Sequence, residues 1–121
     1  MKNQTYRMTM LFDFYGDILT ERQRELFDLY YNEDLSLAEI AENCGISRQG
    51  VRDVIVRAEA AMNELEDKTG LFKRFMRMQD SVDAIVAAAN EIKTINYRQY
   101  ENHRLEELAD SIIAGAGVLK E

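Results

Sequence analysis

The sequence contains no proline, no tryptophan, six glycines, one cysteine and one histidine in 121 residues. Without proline every backbone N–H can donate, and with so little glycine the residues that break helices are scarce. No stretch alternates apolar and polar residues for long enough to make a half-buried strand. A chain of this kind, rich in Leu, Ala, Glu, Arg and Met, is expected to be all-α. Its single Cys44 cannot close an internal disulfide, which agrees with a reducing compartment. Its single His103 has no second histidine or spaced carboxylates beside it in sequence, so a metal site or catalytic triad is not expected, and an exposed helical histidine is the plainer reading. No apolar run approaches the ~20 residues of a membrane span. The opening MKNQTYRMTM is too polar for a secretory signal, so a cytoplasmic protein without membrane insertion is expected. Asn3-Gln4-Thr5 matches a glycosylation sequon, read as chance in the absence of an export signal.

Positive charge is also in short supply. Lys and Arg number 15 against 22 Asp and Glu, a net charge of −7. Duplex DNA repels such a chain overall, so nucleic-acid binding has to be argued locally. Residues 20–45 carry seven acids and two bases, whereas residues 47–62 carry Arg48, Arg52 and Arg57 against Asp53 and Glu59. That second stretch is the least acidic part of the region.

It also contains the most informative pattern in the chain, LAEIAENCGISRQGVRDVIVR from Leu37 to Arg57. Ile40 and then the very small Ala41 suit a helix that a second helix must cross closely. Gly45 stands where the chain turns, a place that favours a positive φ. Ser47 can accept from the first free N–H groups of the next helix, along which Val51, Val54 and Ala58 recur at helical spacing and are expected to face inward. Ser36 with Glu39, and Thr20 with Gln23 one helix earlier, have the spacing of capping boxes. The pattern is that of a helix-turn-helix, although a purely structural three-helix core could carry it too.

The rest of the chain reads as helices around that motif. A first helix is predicted over about residues 4–18, with Met8, Leu11, Phe12, Tyr15, Ile18 and Leu19 on one face, Phe14 off its centre, and Gly16 weakening its end. A second is predicted over 21–32 with Leu26, Phe27, Leu29, Tyr30 and Tyr31, then a loop at Asn32-Glu33-Asp34, a third helix over 37–43 and a fourth after Ser47. Ile55, Ala58, Met62, Leu65, Thr69 and Phe72 carry the apolar spacing past the motif, with Gly70 as a break or kink. Phe72, Phe75, Met76, Val82, Ile85, Val86, Ala89 and Ile92 form a further stripe. Thr94–Tyr97 reads as a connection to a last helix, about 98–114, that frays at Gly115 and Gly117. This divides the chain into a helix-turn-helix domain, 1–62, and a C-terminal helical extension, 63–121. The extension's stripes either fold back as core or serve as a dimerisation arm. Because a small N-terminal module spares little apolar surface, a homodimer through residues 60–114 is expected.

Two resemblances rest on these residues. The Gly45-Ile46-Ser47 turn, with Val51 and Ala58 after it, resembles region four of bacterial sigma factors. LYYNEDLSLAEIAE (Leu29–Glu42), GISRQGVRDVIVRAE (Gly45–Glu59) and RMTMLFDFYGDILTERQ (Arg7–Gln23) resemble the YlxM family of small bacterial helix-turn-helix proteins, over about residues 6–60. The C-terminal half is similar to that family only in being helical and charged. The resemblance implies a sigma region-four-like helix-turn-helix module with a long C-terminal helical extension, and a protein connected with the signal recognition particle. It implies nucleic-acid contacts from Ser47, Arg48, Gln49 and Arg52, with Arg57 nearby. Gly50 and Asp53 depart from the sigma pattern, where a polar or basic residue and a glutamine would stand.

Chemistry at those positions suits DNA. Arg48 or Arg52 can reach guanine O6 and N7, Gln49 can pair with adenine, and Arg57 suits phosphate. The plain alternative is a solvated arginine face satisfied by Asp53 and Glu59. No cofactor is expected, and little points to an enzyme: Glu106 and Glu107 are adjacent and diverge by ~100° on a helix, Cys44 beside the turn reads as packing or surface, and Gly115 and Gly117 make no phosphate loop. A third possibility keeps the scaffold but binds a basic protein or an RNA, such as a signal recognition particle component, through acidic surface and helical arms. Tyr30 and Tyr31 could stack on RNA bases, but one packing and one half-exposed tyrosine is the better reading.

Overall fold

The computed structural model describes residues 5–120. Residue 4 of the expected first helix, and Asn3 and Gln4 of the sequon, lie outside the described residues. Among those described, the chain is mostly helical with no strand, and no helix is long and apolar enough to cross a membrane. Six α-helices follow in order: α1 Thr5–Tyr15, α2 Glu21–Tyr31, α3 Leu37–Cys44, α4 Arg48–Thr69, α5 Leu71–Ile95 and α6 His103–Val118. The chain divides into two compact units, Met1–Phe72 and Lys73–Glu121.

In the first unit, local chemistry sets the boundaries. Both capping boxes form: Thr20 Oγ1 accepts from Gln23 N–H at 3.1 Å while Gln23 Oε1 accepts from Thr20 N–H at 3.0 Å. Ser36 and Glu39 repeat the exchange at 3.0 and 3.1 Å. Each closes two donors that a helix start otherwise leaves open. α1 ends at Tyr15, earlier than its apolar spacing suggests, because the chain tightens into a 3₁₀ turn at Gly16–Ile18. The expected inward Ile18 is 52% exposed as a result, while Leu19 beyond the turn is buried.

α4 packs on α1, α2 and α3. Its buried row is Val51, Ile55, Ala58 and Met62, all fully enclosed. Val54, expected inside, is only partly buried, because Ile55 lies nearer the centre of the helix face that α2 and α3 cover. Leu11, Leu26, Phe27 and Ile40 meet that row with no exposed surface, each contributing roughly 1.5–3 kcal/mol of burial. Phe27 stacks between Phe12 and Tyr31, with ring centroids 4.6 and 4.5 Å away.

α4 ends at Thr69 because Gly70 turns left-handed (φ 61°), so the arm is broken there rather than continuous. A buried carboxylate organises this end. Glu66 Oε1 accepts from the Tyr15 hydroxyl at 2.7 Å and from Phe72 N–H at 2.9 Å, capping the start of α5. The Tyr15 hydroxyl also lies 2.9 Å from Thr69 Oγ1. Burial, partly opposed by the Thr69 hydroxyl and aided by Glu66, raises the Tyr15 phenol above its usual pKa.

The second unit is a hairpin of α5 and α6. Lys93 Nζ lies 2.7 Å from Asp110 and 3.4 Å from Glu106, and Lys120 pairs with Asp83, so the helices run antiparallel. The connection falls later than expected, in a π-turn at Asn96–Tyr100 followed by Asn102 as N-cap of α6. Asn96 is the reason: buried, it donates to Asn102 O at 2.8 Å and accepts from Asn102 N–H at 2.9 Å, tying the turn to itself. α6 runs on through Gly115 and Gly117 to Val118 instead of fraying. Ala116, 6% exposed, is buried between the two glycines, and Lys120 just beyond the helix pairs with Asp83.

Candidate nucleic-acid interface

The turn between α3 and α4 is built by one residue that must be left-handed and one that must cap. Gly45 has φ 69° and ψ 30°, and Ile46 N–H reaches back to Ala41 O at 3.2 Å, closing the end of α3. A side chain at Gly45 would meet nothing within 4 Å, so the glycine is there for its backbone and not for space. Ser47, extended (φ −74°, ψ 157°), then accepts from Gly50 N–H at 3.0 Å and opens α4. Gly50 fits that cap: a Cβ there would stand 3.2 Å from Ser47 Oγ, a few tenths of an ångström inside ordinary contact. The departure from the sigma pattern at Gly50 thus has a local packing reason.

Past the cap, Arg48, Gln49, Arg52 and Arg57 are all exposed, as is Ser47. At 100° per residue Arg48, Gln49 and Arg52 share one side of the first two turns, whereas Arg57 lies about 140° around the helix from Arg52. The five candidate residues are therefore one cluster of four and one arginine on the other flank. Val56, 38% exposed, stands on the cluster's side one turn further along. Composition hid it, since a valine at helical spacing reads as core; only its register against Val51 and Ile55 puts it outside.

The neighbouring acids are engaged elsewhere. Asp53 Oδ1 accepts from Gln49 Nε2 at 2.9 Å. Glu59 Oε2 accepts from the Tyr31 hydroxyl at 2.8 Å, across 28 residues. The alternative in which Asp53 and Glu59 satisfy the arginines gives way to two other contacts, and Gln49 holds an acid beside the cluster. Burial, and then the Glu59 hydrogen bond, push the Tyr31 phenol far above its usual pKa.

Other residues singled out from sequence fall outside this surface. Tyr30 and Tyr31 are both buried, at 8% and 7% exposure, set edge to face with centroids 5.1 Å apart. Neither is the half-exposed ring expected, because α2 is covered on two sides by α3 and α4. Cys44 closes α3 and packs against the core, partly buried. His103 is exposed, with Nε2 3.2 Å from Glu107. Glu106 turns toward Lys93 and Glu107 toward Arg104, so the two acids diverge.

A short capped helix, a left-handed glycine turn and a second helix with its first turns exposed define a helix-turn-helix protein. A family model described as "Putative helix-turn-helix protein, YlxM / p13 like" matches residues 2–110, and the chain belongs to that family, UPF0122. A UPF0122 protein of Acetivibrio thermocellus is 36% identical over 116 residues, 90% of this chain and 99% of its own length. One from Bacillus thuringiensis is 40% identical over 112 residues, 93% and 96% of the two chains. One from a Thermoanaerobacter species is 50% identical over 78 residues, 64% and 67% of the two. The likeness therefore runs beyond the N-terminal half, through α5 and into α6.

Proposed function

We propose that this protein is a non-enzymatic, cytoplasmic DNA-binding regulator that lays the N-terminal turns of α4 in the major groove. The carrying observation is the exposed cluster of Ser47, Arg48, Gln49 and Arg52 behind the Gly45 turn, with the nearby acids tied to Gln49 and Tyr31. In this reading Arg48 and Arg52 reach guanine edges or phosphate, and Arg57, on the other flank, meets phosphate. Val56 offers a methyl surface to thymine. Gln49 reads adenine only by releasing Asp53, and Asp53 brings like charge toward the backbone. Phosphate-dominated, modest affinity is therefore favoured over sharp sequence readout. Residues 1–62 act as the nucleic-acid module, and the C-terminal helices hold a homodimer that brings two recognition helices to one duplex.

Equilibrium binding to a broad pool of duplex sequences, from low to physiological salt, tests the reading. Affinity should fall steeply with salt. Arg52→Ala should weaken binding to all sequences and lower the salt slope by about one. Undetectable binding at low salt would overturn it.

A second reading has its own observation, the net −5 of residues 20–45. It makes the same scaffold an accessory factor that holds a basic protein of the signal recognition particle pathway. Binding to such a partner that ignores Arg52→Ala, together with no DNA binding, would favour it.

A further inference from the structure

The α5–α6 hairpin is apolar on two sides, and only one is covered. Val82 and Ala89 on α5, with Ala109 and Ala116 on α6, are buried at seven-residue intervals along the seam. Three residues after or four residues before the seam positions, a second row repeats at the same period. It consists of Met78, Ile85 and Ile92 on α5 and Leu105, Ile112 and Leu119 on α6, each 38–51% exposed. Because the helices run in opposite directions, this offset places both rows on the same flank of the hairpin. The other flank carries the Lys93–Asp110 and Lys120–Asp83 pairs, with Val86 and Ile113 partly buried beside them.

An apolar flank of this size is large enough to seat a partner. With Ile95 and Leu108 beside them, also about half open, the two rows expose on the order of 600 Å². That equals the largest patches of ordinary monomers and approaches the ~800 Å² each partner gives a standard interface. The seven-residue period is the one at which helices pack knobs into holes, so the occupant should be helical with the same period. A second copy of this hairpin has that property.

Two-fold symmetry can lay the flank on itself in two ways. An axis along the helices would place α5 on the partner's α6. An axis across the helices at Ile85 places α5 on the partner's α5, antiparallel. Met78 then faces Ile92 of the partner subunit. Arg77 comes within two residues, about 3 Å along the axis, of Glu91 of the partner subunit. Both contacts occur twice by symmetry, as an isologous interface requires. We infer that this flank is a homodimer interface, an antiparallel four-helix bundle whose two-fold axis passes Ile85. This rests on the homodimer reading above and names its surface.

Light scattering of the full chain at micromolar concentration tests the assembly. The expected mass is twice that of one chain. Ile85→Asp should give the single-chain mass with helical circular dichroism retained, while Ala87→Asp, on the opposite side of α5, should leave the mass doubled. On a Cys44→Ala background, Ile85→Cys should give disulfide-linked dimers on mild oxidation. Ile92→Cys should not, since its two copies would lie about 21 Å apart. A monomeric wild type overturns the homodimer. A dimer that survives Ile85→Asp overturns this flank, and cross-linking at Ile92 in preference to Ile85 overturns the axis. Should Ile85→Asp lose its helix content, the cysteine pair still decides. DNA binding by the wild type is read separately, so failure of the recognition surface and failure of this interface are distinct results.

Discussion

In Met1–Phe72 the bulkiest apolar side chains are the deepest, whereas in Lys73–Glu121 the smallest are. Phe27, Leu11, Leu26, Ile40, Ile55 and Met62 are fully enclosed in the first unit. In the second, the buried seam is alanine, valine and asparagine, and Met78, Ile85, Ile92 and Ile112 remain about half open. The difference follows from the number of elements available. Four helices can surround a side chain on every side, but two can only share a seam, and a seam closes best with small residues. The first unit is finished as a fold. The second leaves its larger apolar side chains about half open.

The comparison breaks or sharpens by experiment. Phe27→Ala should destabilise the first unit by about 3–5 kcal/mol in denaturant unfolding, as a cavity in a closed core. Ile92→Ala, measured where the protein is monomeric, should change stability by under about 1 kcal/mol. An equal cost at Ile92 would show that the two units do not differ as described. Next is Tyr15→Phe, which removes the hydroxyl from buried Glu66 and should cost about 1–3 kcal/mol; Thr69→Val should cost less, since Glu66 keeps its tyrosine.

Alkaline pH should act on the first unit through Tyr15 and Tyr31, whose phenols are raised, first by burial. Unfolded tyrosines ionise near pH 10 while the folded ones keep their protons, so stability present below pH 10 is lost as pH climbs above it. Thermal unfolding at stepped pH should show this, and Tyr31→Phe should flatten the decline. Gly45→Ala should cost about 1–2 kcal/mol by forcing an alanine left-handed, with no steric clash to relieve. The smallest effect belongs to Asp83→Asn: its pair with Lys120 is exposed, so under ~1 kcal/mol is expected, fading as salt rises.

How legible each feature was depends on how far apart in sequence its partners stand. The capping boxes at Thr20–Gln23 and Ser36–Glu39, the turn at Gly45 and the break at Gly70 each involve residues within about a turn of one another. All could be read from the chain. The five candidate contact residues were also chosen from sequence, as positions on one helix. Their division into a cluster of four and Arg57 alone follows from register. The diversion of Asp53 to Gln49 is local and could have been weighed, whereas that of Glu59 to Tyr31 spans 28 residues and could not.

The sequence by itself determined an all-α chain with a helix-turn-helix, because helix starts, stops and turns are written in short-range hydrogen bonding and backbone preference. Tertiary structure alone decided that Ile55 and not Val54 lies deepest, that Glu66 is buried between Tyr15 and the start of α5, that Asn96 makes the hairpin turn, and that α6 continues through two glycines. Apart from Asn96, whose partner Asn102 is six residues away, these are set by burial against residues remote in the chain, and packing energies of several kcal/mol override local preferences of about one.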